Sequence, residues 1–83
     1  MKESFTVTIM APDKKLFEGT VESLIAPGEL GYLEILAHHA SLVTTLMPGR
    51  ITLKDPSGTR SVIDSRVGGF MAVSGDHAIL LLD

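Results

Sequence analysis

The sequence of 83 residues contains no cysteine. The chain therefore has no disulfide framework and no thiolate chemistry, a composition that fits a reducing compartment. It also lacks any apolar run close to the roughly 20 residues of a membrane-spanning helix. The first residues, Met1-Lys2-Glu3-Ser4, lack the apolar region of a signal peptide. These absences predict a protein that stays inside the cell and has no membrane span of its own.

Basic residues are few and scattered. The chain has 7 lysines and arginines against 10 acidic residues, for a net charge of −3. A nucleic-acid-binding protein needs a basic face toward the phosphates. We therefore expect no nucleic-acid partner.

Helical periodicity is also missing, because no segment keeps a 3.6-residue apolar repeat over three turns. Alternation with a period of two is common instead. Phe5, Val7 and Ile9 alternate with polar residues, as in a strand with one buried face. Residues 20–26 form a further strand candidate in which Val21 and Leu24 both face the core only if a bulge separates them.

Two hairpins are predicted from turn chemistry. The segment Asp55-Pro56-Ser57-Gly58 has proline and glycine at the positions that a type I turn favours, so residues 50–63 form the first hairpin. Ser74-Gly75-Asp76 separates the strands of the second. Its last strand, residues 78–82, is apolar on both faces, which predicts a central strand or one covered by a partner.

The fold class follows from the number and spacing of these elements. About eight short strands, with turn signals every 8–12 residues or so, are typical of a sandwich or barrel. A chain of this length fits one domain. We therefore predict a single all-β domain over residues 1–83.

Residues 26–42 organise the middle of the chain. Pro27-Gly28 and Gly31 predict a turn, and residues 32–36 predict a short strand. A loop at residues 38–41 interrupts the apolar pattern before the next strand begins at Leu42. Gly31, together with Gly49 and Gly69, is expected in a turn or bulge with positive φ or tight backbone contact.

Few residues could carry chemistry. His38 and His39 are adjacent, so in extended chain they point to opposite sides and form a poor metal site. Ser41 beside His39 is adjacency rather than a catalytic triad, since no strand–elbow–helix context surrounds it. The glycine pairs lack the lysine or helix of a phosphate loop. We predict no catalysis, no metal and no cofactor, and interpret the three histidines as surface or interface residues.

A series of short motifs runs through almost the whole chain in a fixed order. It comprises Phe17-Glu18-Gly19, Ala26-Pro27-Gly28, Gly31, Ile35-Leu36, His39-Ala40, Leu42, Leu46, Pro48-Gly49, Gly68-Gly69-Phe70 and a closing Leu80-Leu81-Leu82-Asp83. In this order and spacing the sequence resembles the epsilon subunit of the F-type ATP synthase. It departs from the family pattern at Ser41, where proline is usual, and at Ala37 and Glu34.

The resemblance implies a flattened ten-strand β-sandwich in the central rotor of the synthase. Such a subunit performs no chemistry. It would bind the gamma subunit and the ring of c subunits and couple ion-driven rotation to ATP synthesis. It would associate with the cell membrane peripherally, on the cytoplasmic side, only through the complex. Because the sequence ends at Asp83, we also expect no C-terminal inhibitory helices and no regulation by them.

The resemblance also implies contact residues. The c-ring would be contacted by the turn that comprises Glu29, Leu30, Gly31, Tyr32 and Leu33, with Tyr32 at its most exposed point. The gamma subunit would be contacted by Ala11 and by residues 39–44, of which His39, Ala40, Ser41, Leu42 and Thr44 are the predicted contacts. The alternative is a free-standing β-sandwich module for a small ligand or peptide, which a concave apolar pocket would favour.

Overall fold

The computed structural model describes residues 3–83, so Met1 and Lys2 of the segment considered for a signal peptide lie outside it. The described chain is built from β-strands and contains no helix, which confirms the predicted class. It has nine strands in this range, one fewer than the family resemblance implied. They are β1 (Phe5–Ala11), β2 (Lys14–Val21), β3 (Ser23–Gly28), β4 (Gly31–Leu36), β5 (Leu42–Leu46), β6 (Gly49–Lys54), β7 (Arg60–Ser65), β8 (Gly69–Ser74) and β9 (His77–Leu82).

The strands form one continuous hydrogen-bonded sheet in the order β2-β1-β9-β8-β5-β3-β6-β7. β5 and β6 pair with one edge of β3, and β4 pairs with the opposite edge. Neighbours are antiparallel except β1 and β9, which are parallel. β5 meets β3 at a single residue pair, Gly28 and Leu46. This narrow junction separates a five-stranded part, β2-β1-β9-β8-β5, from a four-stranded part, β4-β3-β6-β7.

The sheet curls so that one face of each part is buried in a shared core, the arrangement of a β-sandwich. The buried apolar residues of both parts form one cluster. β1, β2, β5, β8 and β9 contribute Phe5, Val7, Ile9, Val21, Leu46, Met71, Val73, Ala78, Leu80 and Leu82, and β3, β4 and β6 contribute Leu24, Ala26, Ile35, Ile51 and Leu53. Burial of these side chains, worth roughly 1.5–3 kcal/mol for each large one, is the main force that holds the two parts together.

Both predicted hairpins are present. β6 pairs with β7 across the turn at residues 55–58, where the carboxylate of Asp55 accepts hydrogen bonds from the backbone N–H groups of Ser57 and Thr59. β8 pairs with β9 in the second hairpin. β9 lies between β1 and β8, so its prediction as a central strand is confirmed.

The bulge predicted between Val21 and Leu24 is absent. β2 ends at Val21, the chain bends at Glu22, and β3 begins at Ser23 in the other part of the sheet. Both side chains are buried because the change of direction resets the alternation between strands. The irregularity in pairing lies between β1 and β2 instead, where Ile9 pairs with Phe17 and Met10 with Lys15, so Leu16 of β2 is the extra residue.

Two further boundaries differ from the sequence predictions. The further strand expected over residues 20–26 begins only at Ser23, since Thr20 and Val21 belong to β2, where they pair with Thr6 and Phe5 of β1. Pro27 and Gly28 are the last residues of β3 rather than the turn itself. The turn occupies residues 29 and 30 because Gly31, with φ of 130°, takes up the positive φ that reverses the chain.

Candidate functional site

The first candidate surface is the tip of the β3–β4 hairpin, defined as residues 28–32. Gly28 pairs with Gly31, so Glu29 and Leu30 form the two-residue connection and both are exposed. Leu30 is 102% exposed, whereas Tyr32 is 59% exposed. The prediction that Tyr32 is the most exposed point of the turn is therefore wrong. Leu33, the last of the predicted ring contacts, is half-buried and packs against the core.

Tyr32 is less exposed because its hydroxyl turns back onto β6. The Tyr32 Oη accepts a hydrogen bond from the backbone N–H of Arg50 at 3.1 Å. The guanidinium of Arg50 in turn donates from Nε to the carboxylate of Asp64 on β7 at 3.0 Å. The hydrogen bond and charge of Asp64 raise the pKa of Arg50 above its ordinary value. These contacts join the hairpin tip to β6 and, through the side chain of Arg50, to β7.

The second candidate surface is the solvent-facing side of β1, β9, β8 and β5, which we call the outer apolar face. In one row across these strands, Met10 pairs with Leu81, Leu81 with Phe70, and Phe70 with Thr45. In the next row Ile79 pairs with Ala72, and Ala72 with Val43. The exposed large apolar side chains of this face are Met10 (39%), Ile79 (38%), Leu81 (51%), Phe70 (56%) and Val43 (78%).

The predicted gamma contacts lie on two opposite borders of this face. Ala11 is the last residue of β1. Residues 39–44 comprise the end of the loop before β5 and the first three residues of β5, which lies three strands from β1 across the sheet. At about 4.8 Å between strands, the two borders are roughly 14 Å apart. Within residues 39–44, Leu42 and Thr44 are half-buried because they alternate with Val43, which points outward.

Sequence reasoning missed Met10, Val43, Phe70, Ile79 and Leu81 as surface candidates. The one pattern in the sequence that pointed to this surface is the apolar character of both faces of residues 78–82. That pattern predicted a central strand or a covered one, and β9 is central with an exposed outer face. Because β8 and β1 flank it, their outward residues extend the same apolar surface.

Each histidine has its own separate partner. His38 Nε2 lies 2.6 Å from the carboxylate of Glu3, and His39 Nδ1 donates to the carbonyl oxygen of Ala40 at 2.7 Å. His77 Nε2 shares a hydrogen bond with the Thr8 hydroxyl at 3.3 Å. Across residues 3–83, the structure brings together no group of three histidine, cysteine, aspartate or glutamate side chains that could hold a metal ion.

Two open grooves of about 410 Å³ each lie on the surface. The first is lined by charged side chains, with Lys54 Nζ 3.0 Å from the Glu22 carboxylate and Glu3 and Glu34 beside them. The second lies between the hairpin tip and β5 and is lined by Gly28, Glu29, Leu30, Leu33, Val43, Thr44 and Thr45. The charged first groove is not the concave apolar pocket that would favour a free-standing ligand-binding module, and the second is an open groove whose lining mixes apolar with polar side chains.

The described residues include no helix that is long and apolar enough to cross a membrane.

Fold and surfaces together define a small β-sandwich domain whose distinguishing features are an exposed hairpin tip and an exposed apolar face, both suited to protein contacts. The family of ATP synthase delta/epsilon chain β-sandwich domains matches residues 4–83, and the chain belongs to this family.

Individual relatives agree with this assignment. The chain is 40% identical to the ATP synthase epsilon chain of Dichelobacter nodosus over 83 residues, which cover 100% of this chain and 57% of the relative. It is 41% identical to the ATP synthase epsilon chain of Chlorobaculum tepidum, over 98% of this chain and 91% of that relative. The chain thus spans little more than half of one relative and nearly all of the other.

Solved structures share the fold. A chain of the Euglena gracilis mitochondrial ATP synthase, in a structure of its OSCP/F1/c-ring portion, superposes with a TM-score of 0.87 at 20% identity, over 95% of this chain and 50% of that one. A chain of the Tetrahymena thermophila mitochondrial ATP synthase central stalk/c-ring superposes with a TM-score of 0.76 at 18% identity, over 98% of this chain and 64% of that one.

Proposed function

We propose that this chain is a non-catalytic central-stalk subunit of an F-type ATP synthase. As a single domain over residues 1–83, it binds the gamma subunit and the c-ring and couples ion-driven rotation to ATP synthesis. It requires no cofactor, and it lies at the cytoplasmic side of the membrane through its place in the complex. The family membership and the central-stalk setting of the Tetrahymena neighbour support this assignment.

The outer apolar face is the observation that carries the proposal. Exposed apolar side chains that adjoin one another over several strands are typical of protein–protein interfaces rather than of free surfaces. The face lies between Ala11 and residues 39–44, so one partner covering it would touch both predicted segments. We assign this face to the gamma subunit, with Phe70 and Leu81 near its centre.

The hairpin tip supplies the second contact, toward the c-ring. It belongs to the four-stranded part of the sheet, whereas the outer apolar face belongs to the five-stranded part. The two surfaces are therefore available to different partners at the same time. Glu29 and Leu30 are the exposed residues of the connection and would meet the ring first.

Coupling requires that force pass between these surfaces without deforming the subunit. The hydrogen-bonded ladder is continuous from β2 to β7, and one core cluster contacts both parts. Densely packed interiors of this kind have low compressibility. A rotation imposed at the hairpin tip would therefore reach the outer apolar face as rigid-body motion.

Binding to gamma tests this assignment. Phe70→Ala should weaken binding to purified gamma by about tenfold or more, because central aromatic side chains dominate interface energies. Val62→Ala is the matched control, since Val62 is 50% exposed but lies on β7 of the other part. Equal affinity of wild type and Phe70→Ala in titration calorimetry would contradict the placement of gamma on this face.

A further inference from the structure

The two large side chains of the hairpin tip differ in their surroundings. Leu30 is fully exposed, so its side chain is free to insert into another surface. Tyr32 has a fixed direction, because its hydroxyl accepts the hydrogen bond from the backbone N–H of Arg50. The ring of Tyr32 thus extends from β4 across Pro27 of β3 to β6.

Gly49 provides the space that this arrangement needs. A β-carbon at position 49 would lie 2.8 Å from the Tyr32 Oη and 3.0 Å from the Cβ of Pro27. Both distances are shorter than an ordinary van der Waals contact, so any larger residue would displace the tyrosine. The absence of a side chain at Gly49 therefore permits the hydrogen bond between Tyr32 and Arg50.

The side chain of Arg50 extends this set of contacts to β7. Its Nε donates to Asp64 on β7, so Tyr32 is linked to the far edge of the four-stranded part. Without this contact, only the hydrogen bonds between β3 and β4 would fix the direction of the two-residue connection. Tyr32 adds a lateral support that reaches from β4 across β3 to β6.

We propose that Tyr32 is a positioning residue that fixes the direction of the hairpin tip, and that Leu30 is the anchor with which the tip binds its partner. The proposal rests on the proposed function in one respect, namely that the partner is the c-ring. The chemistry of Leu30 requires an apolar depression on that partner, such as a cleft between adjacent loops. Glu29 beside it would then lie at the polar rim of the contact.

The support by Tyr32 is testable in the isolated 83-residue chain. Tyr32→Phe keeps the ring but removes the acceptor, so the amide of Arg50 should exchange with deuterium about fivefold faster. Gly49→Ala should produce the same change by displacing the ring. Val62→Thr, on the same part of the sheet, is the control and should leave the Arg50 amide unchanged. Unaltered exchange at Arg50 in both test variants would overturn the positioning role.

Leu30 is testable in the assembled synthase, and the absence of native cysteine in this chain simplifies the experiment. Leu30→Cys should crosslink to a cysteine placed on the face of the c-ring that the tip contacts, and it should do so more efficiently than Tyr32→Cys does. Adding Tyr32→Phe to Leu30→Cys should lower that yield while the melting temperature stays the same. Equal yields with and without Tyr32→Phe, or a higher yield from Tyr32→Cys, would overturn the proposal.

Failure of the proposed function gives a different result. If neither hairpin position crosslinks to the ring, the ring-facing placement and the anchor role of Leu30 are both wrong. The exchange rate of the Arg50 amide still decides the role of Tyr32, because it is measured without the ring. A loss of gamma binding in Phe70→Ala would still support the outer apolar face.

Discussion

Gly69 and Leu81 are in backbone contact across β8 and β9. A β-carbon built on Gly69 would lie 2.0 Å from the carbonyl oxygen of Leu81, a distance that only a shift of the backbone could relieve. Any side chain at position 69 would therefore push β8 away from the strand at the centre of the five-stranded part. The expectation of tight backbone contact at Gly69 is confirmed.

The first prediction concerns this contact. Gly69→Ala should destabilise the fold by more than the roughly 1 kcal/mol of an ordinary glycine substitution, because backbone displacement adds strain. Ser74→Ala at the exposed end of β8 is the control and should change stability little. Urea unfolding of the three proteins measures the difference, and a Gly69→Ala variant as stable as Ser74→Ala would refute the close contact.

The second prediction compares neighbours on β9. Leu80 is fully buried and Leu81 is 51% exposed, since alternate side chains face opposite sides of the sheet. Leu80→Ala should cost about 2–5 kcal/mol in unfolding free energy, the usual range for a buried leucine. Leu81→Ala should cost much less but weaken binding to gamma. Thermal unfolding and calorimetric titration separate the two effects, and a reversed order of stabilities would show that the register of β9 is wrong.

The third prediction compares two lysines. Lys54 is 30% exposed and pairs with a Glu22 side chain that is only 9% exposed, whereas Lys15 and Glu18 are 48% and 55% exposed. Lys54→Met should destabilise the fold by about 1–3 kcal/mol, because a buried carboxylate loses a charged partner. Lys15→Met should have little effect, since water already screens that pair. Similar denaturation midpoints for both variants would argue against a structural role for the Lys54–Glu22 pair.

The fourth prediction concerns pH. The hydrogen bond from the Ser57 hydroxyl lowers the pKa of Asp55, and backbone N–H groups of Thr59, Ser57 and Gly58 lower it further. A folded-state pKa below the unfolded one stabilises the fold above the unfolded pKa, and the stabilisation is lost as pH falls through the folded pKa. Asp55→Ala should therefore be less stable than wild type at neutral pH, with the difference shrinking in acid.

Ser57→Ala provides the graded comparison, because it removes one donor and keeps the carboxylate. An NMR titration of Ser57→Ala should show a pKa of Asp55 that is higher than in wild type and closer to its ordinary value. A stability difference between Asp55→Ala and wild type that stays constant down to strongly acidic pH would mean that the charge of Asp55 contributes nothing to the turn.

The amino-acid sequence determined the elements whose causes are local. Alternation with a period of two specified strands such as β1, and the proline and glycine at positions 56 and 58 specified the turn of the β6–β7 hairpin. The ordered glycine, proline and histidine motifs identified the family, because their order and separations along the chain match its pattern. The backbone contact at Gly69 was also foreseen, from the glycine pair alone.

Only the tertiary structure decided which strands meet and which residues therefore face solvent. Val21 and Leu24 are both buried because the chain passes from one part of the sheet to the other at Glu22, a change of direction that no local pattern records. The outer apolar face exists because β1 and β9 pair in parallel, so residues from opposite ends of the chain adjoin. Tyr32 turns back because Gly49, distant in sequence, leaves it room. Pairings between distant segments depend on the burial of the whole core, which a local alternation of apolar and polar residues does not encode.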